Sequence, residues 1–242
     1  MILKYFFNIR FNKKYKKESY SEIIKYNTCG SKYNTNVIFQ QTDTISASLK
    51  NYDKNILILN FASPFFPGGG YKLGFTTQEE SLCYATSLYG EISKIKLRKF
   101  YFKNFLYLLN PVYTNEAILS RKVTIYRDNN FNLLKEPKNI DILTIAAPNN
   151  NFAKMMPWIS EKQIQNAMKK KIELINFIIN KYKYQTVILG AFGCGAFGND
   201  IKNTAKIFEE NISFPGNCIY AIPNIKTFNI FKDIITEEKY EK

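Results

Sequence analysis

Apolar runs and amphipathic stretches alternate along most of the chain. Residues 55–62 (NILILNFA) form a continuous apolar run, the mark of a strand buried on both faces. Residues 140–148 (IDILTIAAP, ended by Pro148) and 186–192 (TVILGAF) repeat that pattern. Shorter strands are predicted over 37–40 and 218–223, and a strand or hairpin arm over 117–126. The longest helix is predicted over 161–182, where Ile164, Met168, Ile172, Ile175 and Ile179 share one stripe. Lys169, Lys170 and Lys171 read as its wet face. Further helices are expected over 78–89, over 199–211 with Asn199 or Asp200 as the cap, and over 227–238. Near the start, ESYSEIIKYN followed by Cys29 and Gly30 reads as a short helix with a glycine stop. Buried strands alternating with helices predict an α/β layered domain with a largely parallel central sheet.

Composition narrows the chemistry. The 242 residues contain no histidine, which excludes Ser-His-Asp and Cys-His catalysis, histidine-bound zinc and a histidine general base. The formal net charge is +14, yet only Arg10, Arg98, Arg121 and Arg127 are arginines. A nucleic-acid reader would concentrate its charge and use arginine forks, so this pattern reads first as a lysine-rich surface bias. Non-specific attraction of a polyanion is the functional alternative. Cys29, Cys83, Cys194 and Cys218 are widely spaced, with no C-x-x-C, as expected of buried thiols in a reducing compartment. No apolar run approaches a membrane span, and the first residues make a poor signal peptide, so an intracellular, cytoplasmic protein is expected, or a nuclear one in a eukaryote.

In open α/β sheets the ligand lies beyond the carboxyl ends of the strands. Two strands end there in unusual loops. The first runs Asn60-Phe-Ala-Ser-Pro-Phe-Phe-Pro-Gly68-Gly69-Gly70. Three residues without Cβ let the backbone approach an oxyanion closely. Gln78, Glu79 and Glu80 then open a helix, a position that the macrodipole alone would favour for acids. The second loop, Gly193-Cys194-Gly195-Ala196-Phe197-Gly198-Asn199, fits G-x-G-x-x-G between a strand and a helix. A dinucleotide fingerprint is one reading of it. Its C-terminal position, with no acid at the end of the following strand, disfavours an oxidoreductase. Glycines before a helix still make a diphosphate cradle.

Together these stretches resemble microbial-type poly(ADP-ribose) glycohydrolases, over about residues 18–231. The glycine triplet followed by Gln78-Glu79-Glu80 is the signature of that family. Supporting stretches are Thr42-Asp43-Thr44, Tyr126-Arg127-Asp128 and Ala146-Ala147-Pro148-Asn149. The resemblance implies a three-layer α/β/α macrodomain with a mixed, largely parallel sheet in residues 36–242, preceded by a helical N-terminal accessory segment over 1–35. It implies Glu80 as the catalytic acid and Glu79 as the acid that holds ribose hydroxyls. Gly68, Gly69 and Gly70 would face diphosphate and ribose, and Asn60 would orient the ribose nearest the bond. Gln78 would belong to the substrate site. Residues Gly193, Cys194, Gly195, Ala196, Gly198 and Asn199 would form the diphosphate loop, with Phe197 packed on the terminal ribose. Asp43 would meet the adenine amine. No metal and no cofactor are implied. Phe66, Phe75-Thr76-Thr77 and Tyr84 depart from the family pattern and bear on the choice of acceptor.

The chemistry agrees. Cleaving a ribosyl O-glycosidic bond passes through an oxocarbenium-like state and needs an acid for the leaving oxygen, which can then activate water. Glu79 and Glu80 are neighbours, so their side chains leave a helix about 100° apart and cannot flank one bond. The expected function is therefore a glycosidase that releases ADP-ribose from poly(ADP-ribose), with Glu80 as general acid/base. The alternatives are a hydrolase for mono-ADP-ribosylated targets and a non-catalytic ADP-ribose reader. The expected partner is ADP-ribose polymer or ADP-ribosylated protein, with no membrane, nucleic acid met only through non-specific charge, and a monomeric state.

Overall fold

A computed structural model describes residues 19–240 except 29, 31, 107 and 108, with the backbone alone at 237–240. Its seven strands are β1 (Tyr20–Lys25), β2 (Asn36–Gln40), β3 (Ile56–Phe61), β4 (Glu116–Arg127), β5 (Leu133–Ile145), β6 (Thr186–Leu189) and β7 (Asn217–Ala221). They form one sheet in the order β1-β4-β5-β3-β6-β7-β2. The run from β5 to β2 is parallel, while β1 and β4 add antiparallel pairs at one edge.

Helices cover both faces. On one side lie α1 (Thr44–Lys50), α2 (Gln78–Ala85), α3 (Leu88–Ile92) and α4 (Arg98–Leu106). On the other lie α6 (Glu161–Lys181), α7 (Ile201–Asn211) and α8 (Ile225–Tyr240), while α5 (Asn150–Ala153) follows β5. The strand parity of β3 shows why its run is wholly apolar. Ile56 and Ile58 point into the first layer, and Leu57 and Leu59 into the second. The expected three-layer α/β/α architecture with a mixed sheet is present.

Several sequence expectations change. The stretch read as an N-terminal helix is the edge strand β1, paired to β4 from Tyr20↔Arg121 to Lys25↔Glu116. One of its inward positions is polar. Ser21 is buried and bonds to Glu91 and Ser120, so the period-2 pattern is hidden in the sequence. Residues 1–18, Cys29 and Ser31 of the predicted accessory segment lie outside the described residues.

The helix expected over 78–89 is two helices. At Thr86 the backbone turns extended and bridges to Ile125, while Ser87 N donates to Thr124 O. Strand β5 starts at Leu133, seven residues earlier than expected, because its exposed first half pairs with β4 rather than with a core. The predicted wet face of α6 is corrected at one position. Lys169 and Lys170 are exposed, but Lys171 is fully buried and donates to Thr114 O at 2.8 Å. No helix among the described residues is long and apolar enough to cross a membrane.

Candidate active site

Strands β3 and β6 pair only from Ile56↔Thr186 to Ile58↔Ile188, and then separate. Gln78 takes over where β6 leaves. Its Nε2 donates to Leu59 O at 2.8 Å, and its Oε1 accepts from Phe61 N at 2.9 Å. The side-chain amide thus replaces a neighbouring peptide and keeps the end of β3 satisfied. A cleft of about 630 Å³ opens beside it. Its floor and walls come from the 61–70 loop, the start of α2 and residues 191–197.

Parity places the first polar group. Asn60 follows Ile56 and Ile58 on the face toward α2 and is fully buried. Its Nδ2 donates to Thr144 Oγ1 at 3.1 Å and to Glu79 Oε1 at 3.3 Å. Ser63 N donates to Glu79 Oε2 at 2.7 Å, and Gly68 N to Oε1 at 3.2 Å. Burial pushes the Glu79 carboxyl up to about 8, against the pull of these three donors and with a further push from Glu80.

Glu80 sits one position on, 5% exposed and facing the cleft. Gly70 N donates to its Oε1 at 2.7 Å, and the Thr77 hydroxyl donates to Oε2. Thr77 precedes α2, yet its side chain serves the Glu80 carboxylate rather than capping the helix. The two acids therefore leave the helix in different directions but are gripped by one loop. Gly69 lies between them with φ +53°, and a Cβ there would fall 2.6 Å from Glu80 Oε1 and 3.1 Å from Glu79 Oε2. A side chain there would be strained by that φ and would have to displace the Glu80 carboxyl.

The opposite wall is the loop after β6. Asn151 N and Asn150 Nδ2 donate to Phe197 O and Gly198 O at 3.1 and 3.0 Å, and Asn151 Nδ2 donates to Ala196 O at 3.1 Å. With those carbonyls held outward, the N–H groups of Gly195, Ala196 and Phe197 take no acceptor among the described residues. Asn199 pins the loop base through Pro148 O and Gly193 O, at 2.7 and 2.9 Å. Gly193 has φ +75°, and a Cβ there would strike Ala147 Cβ at 2.6 Å. The loop presents backbone donors and no charge, an arrangement suited to a diphosphate. No lysine or arginine lines the cleft.

The cleft thus gathers Glu79, Glu80, Gly69, Gly70, Gln78, Gly193, Gly195, Ala196 and Phe197. Asn60 and Gly68 stand behind it and hold Glu79. Gly198 and Asn199 anchor the loop from outside, and the Cys194 thiol turns away to Phe192 O and the core. Gln78 lines the cleft with its amide already committed to the backbone. Asp43 caps α1 by accepting from Ser46 N at 2.9 Å, and borders a separate pocket of about 220 Å³ that shares Phe61, Thr77 and Gln78 with the cleft. Sequence reasoning missed Thr77 and Thr144. A hydroxyl three residues before an acid at a helix start was the available signal for Thr77. Trp158 is exposed and borders neither cavity. Among the described residues no cluster of acids and cysteines is placed to hold a metal ion.

The family model for the microbial-type PARG catalytic domain matches residues 8–128, half of the chain, including Asn60, the glycine triplet and all of Gln78-Glu79-Glu80. The chain belongs to the microbial-type poly(ADP-ribose) glycohydrolase family. No curated relative matches the sequence. Among solved structures, the PARG fold here is similar to poly(ADP-ribose) glycohydrolase from Deinococcus radiodurans in complex with ADP-ribose. That match has a TM-score of 0.81 at 23% identity, covering 94% of this chain and 97% of that one. It is also similar to the enzyme from Thermomonospora curvata bound to the inhibitor ADP-HPD. There the TM-score is 0.77 at 22% identity, over 93% of this chain and 87% of that one. The N-terminal strand β1 lies within the family match, and the 193–199 loop lies beyond its end.

Proposed function

We infer that the protein is a poly(ADP-ribose) glycohydrolase, a glycosidase that cuts ribose–ribose O-glycosidic bonds and releases ADP-ribose. Family membership supports this activity. One observation carries the assignment of roles: a single glycine loop grips two adjacent carboxyls at one end of a cleft that Gly193, Gly195, Ala196 and Phe197 also line.

Glu80 is the general acid. Its carboxyl donates a proton to the leaving oxygen as the C1–O bond breaks, then takes one from the water that attacks C1. Gly70 N and Thr77 Oγ1 hold it in place for both steps. Glu79 accepts ribose hydroxyls. With its carboxyl pushed up to about 8, it is largely neutral at pH 7, so it adds little repulsion when a diphosphate enters. The N–H groups of residues 195–197 take the diphosphate, Phe197 packs on the terminal ribose, and the adenine extends toward the pocket beside Asp43. The substrate's own diphosphate offsets positive charge developing on the ribose.

A non-catalytic reader would have no use for an acid held open to the cleft as Glu80 is. The working unit is residues 36–242 together with strand β1, acting as a monomer on ADP-ribose polymer or ADP-ribosylated protein. An intracellular setting agrees with free thiols at Cys83 and Cys194. The test is release of free ADP-ribose from purified poly(ADP-ribose), with Glu80→Gln as the comparison.

A further inference from the structure

Three large apolar side chains at the cleft are left in solvent. Phe66, Leu73 and Phe75 are 63%, 71% and 59% exposed, and all three line the cleft with Glu80. They are not a loose surface. Phe66 O accepts from Gly69 N at 3.0 Å, and Gly70 O accepts from Leu73 N and Phe75 N at 2.9 and 3.3 Å. The Phe75 ring lies so close to Gly70 that a Cβ there would fall 2.0 Å from it. Gly70 N in turn donates to Glu80. The glycine triplet therefore holds both the acid and an apolar platform along one cleft.

We propose that Phe66, Leu73 and Phe75 form a leaving-group subsite that takes a purine base by stacking. The proposal rests on the glycohydrolase reading above. The oxygen that Glu80 protonates belongs to the ribose of the next unit, and that ribose carries adenine. The base therefore lies one sugar away from Glu80, within reach of a platform built on Gly69 and Gly70. The terminal unit's own adenine is assigned to the pocket beside Asp43, which none of Phe66, Leu73 and Phe75 lines. An exposed aromatic face suits a base, because every base offers a π-face and stacking needs no hydrogen-bond match. No cation stands among the cleft's lining residues to favour a phosphate there instead. The subsite makes the enzyme prefer adenosine-bearing leaving groups, that is, polymer over single modifications.

The test compares kcat/KM on poly(ADP-ribose) with kcat/KM on the C1″ methyl glycoside of ADP-ribose, whose leaving group has no base. The wild type is expected to favour the polymer. Phe75→Ala and Phe66→Ala are expected to shrink that advantage by about 5- to 100-fold, the range of one base–aromatic stack. Phe75→Trp is expected to keep it, which separates stacking from a misfolded loop. An advantage unchanged in both alanine variants, or lost equally in Phe75→Trp, would overturn the subsite. Equal wild-type rates on the two substrates would also overturn it while leaving the glycohydrolase intact. No hydrolysis of either substrate by the wild type would overturn both.

Discussion

Asn60 Nδ2 lies 3.3 Å from Glu79 Oε1, and the pair joins the carboxyl end of β3 to the first turn of α2. Both residues are buried; burial raises the Glu79 carboxyl, and the Asn60 amide places it while pulling against that rise. An unfolded glutamate ionises near pH 4.5, whereas Glu79 in the fold does so near 8. The unfolded state therefore binds fewer protons between those values, and this group's contribution to stability falls as pH rises through that window. Glu79→Gln is expected to remove that fall, measured by urea unfolding at pH 5, 6.5 and 8.

The same titration acts on ligand. Above pH 8 an ionised Glu79 faces a diphosphate with no lining cation to offset it. ADP-ribose affinity is expected to weaken by about three- to tenfold between pH 7 and 9, from ~1 kcal/mol of repulsion. Calorimetry should show the change in the wild type and a flat profile in Glu79→Gln. The same weakening in the variant would place its origin elsewhere.

Gly69→Ala tests the loop that holds both acids. The new Cβ meets Glu80 Oε1 at 2.6 Å on a backbone of φ +53°. The left-handed conformation alone costs about 1–2 kcal/mol for a residue with Cβ. The expected result is a protein that still folds, with a lower melting temperature and at least about 100-fold less turnover, because Glu80 must move off Gly70 N. Normal turnover would show that the carboxyl's position is not set by this loop.

The site was legible where chemistry needs rare residues in a row. The glycine triplet and Gln78-Glu79-Glu80 stand out in any reading, the first in the loop after β3 and the second at the start of α2. What stayed hidden depends on groups brought together from far along the chain. Ser21 reads as polar surface until Glu91 is seen buried beside it, so β1 looked helical. Asn150 and Asn151 look like an ordinary polar turn, yet they fix the carbonyls of residues 196–198 from almost fifty positions away. Gln78 lines the cleft, and its amide also repairs the end of a strand, a role no sequence pattern announces. Helix α4, with aromatic residues on several sides, offered no stripe to read.

Lys171 is the sharpest such case, because a lysine in the middle of Lys169-Lys170-Lys171 looks exposed. It is fully buried with its ammonium on Thr114 O, and burial lowers it to about 7. Unfolded, the same group holds its proton to about 10.5. Here the unfolded state binds more protons between 7 and 10.5, so this group's contribution to stability rises with pH across that window. Lys171→Met is expected to abolish the rise, as read by urea midpoints at pH 7 and 9. A rise that persists in Lys171→Met would mean that other groups carry it.

The most direct test of the whole account is ADP-ribose release from purified poly(ADP-ribose) by the wild type and by Glu80→Gln. Free ADP-ribose is expected from the wild type alone, with Glu80→Gln still binding ADP-ribose within about tenfold, since the amide keeps the shape and loses the proton. Release by Glu80→Gln at the wild-type rate would contradict the assignment of the acid. No release by the wild type would contradict the activity itself.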